Sequence, residues 1–191
     1  MALKLFRSTG FSSILAPGQS RVAMHPGWIV AAISAWAGFA CNVALWRELA
    51  GTGGDGMGLP RALALGLLIS AGCTVVLSVL GWRRTLKPAA TLIVFLAALA
   101  ACSIWAQNLP VDETLLDKRL SSLILPPWAS LLRWQVWALL TVLALVPTVW
   151  MWNSKVRRLS ARQQLSVTVM GVLMGTALLA AGAYLLLAAL A

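Results

Sequence analysis

Few side chains in this 191-residue chain could do chemistry, and most of them fall in one polar stretch. Asp112, Glu113 and Asp117 supply three of the five acidic residues, and Lys118, Arg119 and Ser122 follow directly. Carboxylates in such a cluster could meet a metal or a cationic headgroup, whereas Lys118 and Arg119 suit a phosphate. Their interleaving favours a solvated face of mixed charge over a metal site. Asn42 stands apart, as an amide inside an apolar run. An amide in hydrocarbon needs a partner, so Asn42 should face another helix or a water-filled cleft. Packing glue is the simpler of its two readings.

The remaining reactive residues exclude more than they suggest. His25 is the one histidine, and it precedes Pro26 with no acid or cysteine nearby. It makes neither a metal site nor a Ser–His–acid constellation. Cys41, Cys73 and Cys102 each sit in an apolar segment without metal-ligand spacing and read as small buried side chains. The glycine-rich run Gly51 to Gly58 lacks the Lys-Ser/Thr of a phosphate loop and reads as a flexible connector. No charged residue falls in the middle of an apolar run, which counts against an ion or proton transporter.

The elements that must position these residues are apolar helices. The chain is 60% hydrophobic and 10% charged, with mean hydropathy +0.86. Soluble domains carry about a quarter charged residues, so a bilayer is the fitting solvent. The net charge of +10 does not imply nucleic acid, because the basic residues lie in short runs between apolar segments. Five runs approach the roughly 20 residues that a spanning helix needs. They are Trp28–Trp46, Ala62–Trp82, Ala89–Ala106, Trp134–Trp152 and Leu165–Ala191. Tryptophans at several ends suit the headgroup layer, and Pro147 predicts a kink in the fourth run. The chain thus reads as an all-α polytopic membrane protein. A polar segment, residues 1–27, precedes a five-helix membrane domain over residues 28–191. That first segment lacks the apolar core of a cleavable signal, so the first span should be the insertion signal.

Charge orders the two sides. Residues 1–27, the run Arg83 to Lys87 and the run Lys155 to Arg162 hold ten basic residues and no acid. The other loops hold five basic residues and all five acids. The positive-inside rule places the N-terminus in the cytoplasm and both the Asp112 loop and the C-terminus outside. Within that loop Leu115, Leu116, Leu120, Leu123 and Ile124 alternate with polar residues. This spacing predicts a short amphipathic surface helix, stopped by Pro126-Pro127. Gly171, Gly175 and Gly182 form a small-residue stripe suited to close packing, more readily inside the chain than at a dimer seam.

The layout resembles the N-terminal membrane domain of the lipid A phosphoethanolamine transferases. The elements that carry the likeness are Asn42-Val43-Ala44-Leu45-Trp46, the basic run Arg83-Arg84-Thr85-Leu86-Lys87-Pro88, the loop Asp112, and Val146-Pro147 followed by Lys155-Val156-Arg157-Arg158. The loop departs from the family's usual Asn, Thr and Glu by carrying Lys118, Ser122 and Pro126. The resemblance implies a bacterial inner-membrane domain that anchors a transferase and presents lipid, and that is not catalytic alone. It implies phosphatidylethanolamine as donor and lipid A or a related glycan as acceptor. Asn42, Asp112, Lys118, Arg119 and Ser122 would then contact the lipid headgroup. No cofactor is expected within these residues. The family's zinc and nucleophilic threonine are expected in a periplasmic catalytic domain that these residues do not include. Two other readings remain: an interaction subunit packing on a partner through the Gly171/Gly175 face, and a small transporter. The transporter reading predicts an internal repeat, and none relates spans one–two to spans three–four.

Overall fold

In hydrocarbon a backbone polar group has no water to turn to, so a spanning segment must close its hydrogen bonds internally. The computed structural model follows that rule. It describes residues 24–51, 58–82, 85–106, 134–154, 156 and 160–190. The described residues form α1 (Pro26–Ala35), a π-helical turn (Trp36–Ala40), α2 (Val43–Leu49), α3 (Gly58–Val79), α4 (Leu86–Ala106), α5 (Trp134–Leu140), a second π-helical turn (Thr141–Leu145), α6 (Val146–Asn153) and α7 (Ala161–Leu190). Their only extended pairing is an isolated bridge between Met24 and Val156. The protein is an all-α polytopic membrane domain.

Four continuous helices are long and apolar enough to span: Gly58–Val79, Leu86–Ala106, Trp134–Asn153 and Ala161–Ala189. A fifth span exists if Pro26–Ala40 and Val43–Leu49, bent by 57°, are counted as one. The first span is therefore not the single straight helix that its apolar run suggests. It breaks at Cys41-Asn42, because Asn42 takes an extended backbone (φ −85°, ψ 93°) and caps a new helix. The fourth span, where Pro147 predicts a kink, runs as one helix of 20 residues that widens into the π turn just before the proline.

Successive spans run antiparallel, which gives the bundle two ends. Hydrogen bonds from Gln164 to Gly81 and from Lys87 to Ser154 tie together one end, the basic end. Bonds from Arg47 to Ile104 and from Arg61 to Ala189 tie together the other, where α4 ends at Ala106. The amphipathic helix expected near residues 115–124 lies outside the described residues.

Small residues set the helix spacing. The buried stripe of α4 is Ala90, Val94, Ala98 and Ala101, at helical spacing and almost without bulk. That of α3 includes Ala62, Ala64, Gly66, Ser70 and Ala71. Such stripes let backbones approach, which is how helices gain contact where the solvent is as apolar as leucine. Larger side chains, Ile29, Ile33, Leu77, Leu86 and Met151, fill the space toward the basic end. Gly38 of the first π turn crosses Gly66 of α3. A Cβ on Gly66 would lie 2.8 Å from the Gly38 carbonyl oxygen, and a Cβ on Gly38 would strike the Gly66 carbonyl.

The glycine stripe of α7 packs within the chain. Cβ atoms on Gly171, Gly175 and Gly182 would meet Ser78, Val75 and Leu68 of α3 in turn, so the two helices run antiparallel along the stripe. The face needed for a partner docking through Gly171 and Gly175 is therefore filled by α3. The rest of α7 is largely exposed, with Leu165, Met170, Leu173, Tyr184 and Leu187 facing outward.

Candidate functional site

Asn42 sits where the first span breaks, and the break explains its chemistry. A chain leaving a helix strands its last carbonyls, and a chain entering one strands its first N–H groups. Asn42 Oδ1 accepts from Leu45 N at 3.2 Å, capping α2. Its Nδ2 donates to the Ala62 carbonyl at 2.9 Å, joining the break to α3. Trp46 Nε1 donates to the Ala40 carbonyl at 3.1 Å, and Cys41 N donates to the Trp36 carbonyl at 3.2 Å. Only 6% of Asn42 is exposed, so both ends of its amide serve the protein backbone. The structure places Asn42 as the joint between α2 and α3.

Two arginines that the sequence offered only as loop charges complete this end. Arg47 Nη2 donates to the Ile104 carbonyl at 3.2 Å, holding α2 against the last turn of α4. Arg61 Nε donates to the Ala189 carbonyl at 2.9 Å, holding the first turn of α3 against the last turn of α7. Both guanidiniums thus answer helix C-terminal carbonyls, where the helix dipole favours a cation. A signal for them existed. Each lies within one turn of an apolar segment's end, but the partner carbonyls, 57 and 128 residues away, are not legible from spacing. Asp112, Lys118, Arg119 and Ser122 lie outside the described residues. The 107–133 segment that carries them begins one residue after Ala106, at the end of α4 that Arg47 clasps.

The fourth span shows a related device. Pro147 has no N–H to offer the carbonyl four residues before it, that of Leu143. Trp36 Nε1 reaches across from the first span and donates to that oxygen at 3.0 Å. The two interrupted spans are therefore joined at their interruptions.

At the basic end, Lys87 Nζ donates to the carbonyls of Trp152 (3.2 Å) and Ser154 (3.0 Å) and lies 5.7 Å from the Trp152 ring centroid. Trp152 Nε1 donates to Thr91 Oγ1 at 3.0 Å. His25 Nδ1 accepts from Gly27 N, a capping role. Among the described residues no group of three His, Cys, Asp or Glu could hold a metal ion. The described residues do not fit a zinc ion.

Residues 69–191 match the family described as phosphoethanolamine transferase EptA/EptB, through its N-terminal domain. The chain belongs to that family. The match runs from within α3 to the end of α7, so the broken first span and Asn42 precede it. No curated protein and no solved structure matches the chain. Together with the helices, the family match makes this a membrane domain of the phosphoethanolamine transferase family.

Proposed function

We propose that this membrane domain anchors a phosphoethanolamine transferase in the bacterial inner membrane and presents lipid to it. The donor is phosphatidylethanolamine, and the acceptor is lipid A or a related glycan. The N-terminus lies in the cytoplasm and the 107–133 loop on the periplasmic side. The observation that supports this reading is the clasped end of the bundle. Arg47 and Arg61 fix the last turns of α4 and α7 at one end of the bundle, the end at which α4 leads on to residues 107–133. A catalytic domain held there would meet lipid headgroups at the depth where the loop emerges. Zinc and the nucleophile belong to that partner domain, and the residues here bind and orient lipid. In this reading Lys118 and Arg119 hold the headgroup phosphate, with Asp112 and Ser122 beside them. Asn42 contributes by fixing the direction of α2.

The test is photocrosslinking of an azide-bearing phosphatidylethanolamine to the protein in nanodiscs. Replacing Lys118 and Arg119 together with Ala should cut crosslinking to the 107–133 segment by about tenfold, the scale of one lost charged hydrogen bond. Unchanged crosslinking would remove the headgroup role from this loop.

A further inference from the structure

We infer that the basic end carries a second lipid site, a cleft between α1, α3 and α7 that takes an acyl chain of an anionic phospholipid. It lies at the end of the bundle opposite the 107–133 loop and does not depend on the transferase reading.

Two adjoining cavities form the cleft, of about 300 and 480 Å³. Pro26, Gly81, Gln164 and Thr168 line both, so the cavities meet there. Each falls within the size range of small-ligand pockets or close to it. From Gly81 at the mouth, the inner cavity follows α3 down to Thr74. That is about 10 Å along the helix at 1.5 Å per residue. Its walls are Val30, Ala31, Val167 and Met174, and polar atoms contribute little to the lining. Methionine at the wall adapts to an irregular chain. An elongated, apolar groove that begins near a membrane boundary fits a hydrocarbon tail better than a polar solute.

Charge selects the headgroup. The segments joining the helices at this end carry Arg83, Arg84, Lys155, Arg157 and Arg158, and no acid. Arg162 is exposed on the first turn of α7, between Ala161 and Gln164, which line the mouth. Lys87, next to Leu86 of the outer cavity, is engaged with the carbonyls of Trp152 and Ser154. Basic rims between spanning helices attract anionic headgroups, at about 1 kcal/mol per Lys or Arg near the surface. The two features together name a phospholipid with net negative charge.

Native mass spectrometry of the purified full chain tests this, with palmitoyl-oleoyl phosphatidylglycerol and the matching phosphatidylcholine as probes. Phosphatidylglycerol should be retained about tenfold more tightly, with the preference shrinking at high salt. Thr168→Trp, which fills the junction of the two cavities, should reduce retention about fivefold. Leu173→Trp, on the exposed face of α7, should leave it unchanged. Thr168→Leu and Ala31→Phe give milder fillings should the tryptophan variant fail to fold. Equal retention of the two lipids overturns the proposal. So does a Thr168 series that behaves like Leu173→Trp, which would mean annular lipid only. Retention that appears only after residues 2–22 are removed would name the chain's own N-terminal segment as the occupant, and overturns it as well.

Discussion

The first and fourth spans are both interrupted by a π-helical turn, yet only one of them breaks. In the fourth span Pro147 removes an N–H, but the helix continues through it, and the stranded Leu143 carbonyl accepts from Trp36. In the first span no proline is present at the interruption, yet the axis turns by 57° at Cys41-Asn42. The difference lies in what the local side chain offers the backbone. A proline takes away one hydrogen bond and supplies none, so the cheapest repair is a donor from a neighbour. An asparagine supplies both a cap for a new helix and a donor for the next helix, so leaving the first helix costs little. Proline marks where a partner must come, whereas asparagine here marks where the chain can turn.

The comparison can be broken in four places. Gly38→Val should have the largest effect, because its Cβ would strike the Gly66 carbonyl where the first π turn crosses α3. A loss of about 3 kcal/mol is expected for such overpacking, read from unfolding in mixed micelles. A wild-type midpoint would show that the crossing has room for a side chain at Gly38. Asn42→Ala should cost about 2 kcal/mol, since it removes both the cap and the bond to Ala62. A spin-label distance between Ala31 and Leu49 should lengthen as the bend relaxes. An unchanged distance would mean that packing, rather than the amide, sets the angle.

Trp36→Phe comes next, at about 1 kcal/mol, because it strands the Leu143 carbonyl in the bundle. Pro147→Ala should change stability least, by less than about 0.5 kcal/mol, since the restored N–H merely competes for that same oxygen. In the double variant the alanine should recover most of the Trp36→Phe loss. Strict additivity of the two changes would show that Trp36 does not compensate for the proline.

Much of this architecture is readable without coordinates. The second and third spans lie within a few residues of their apolar runs, because length and hydropathy decide which segments can sit in lipid. The Gly171, Gly175 and Gly182 stripe is visible as a pattern, and its preference for packing inside the chain is met by α3. The two sites are legible unequally. Asn42 stands out as an amide in an apolar run, whereas its partners, Leu45 and Ala62, do not. The apolar cleft at the basic end has no sequence signal, since its walls are ordinary span residues drawn from three helices.

The sequence by itself determined that the chain dissolves in a bilayer as helices, and which connecting segments gather the positive charge. Both follow from sums over residues: hydropathy per segment and charge per loop. The tertiary structure alone decided where the first span turns, which carbonyls Arg47, Arg61 and Trp36 answer, and that Gly38 faces Gly66. Those outcomes depend on pairs 20 to 128 residues apart in sequence. In lipid every stranded backbone group must find its partner somewhere, but only the packed bundle determines which one is within reach.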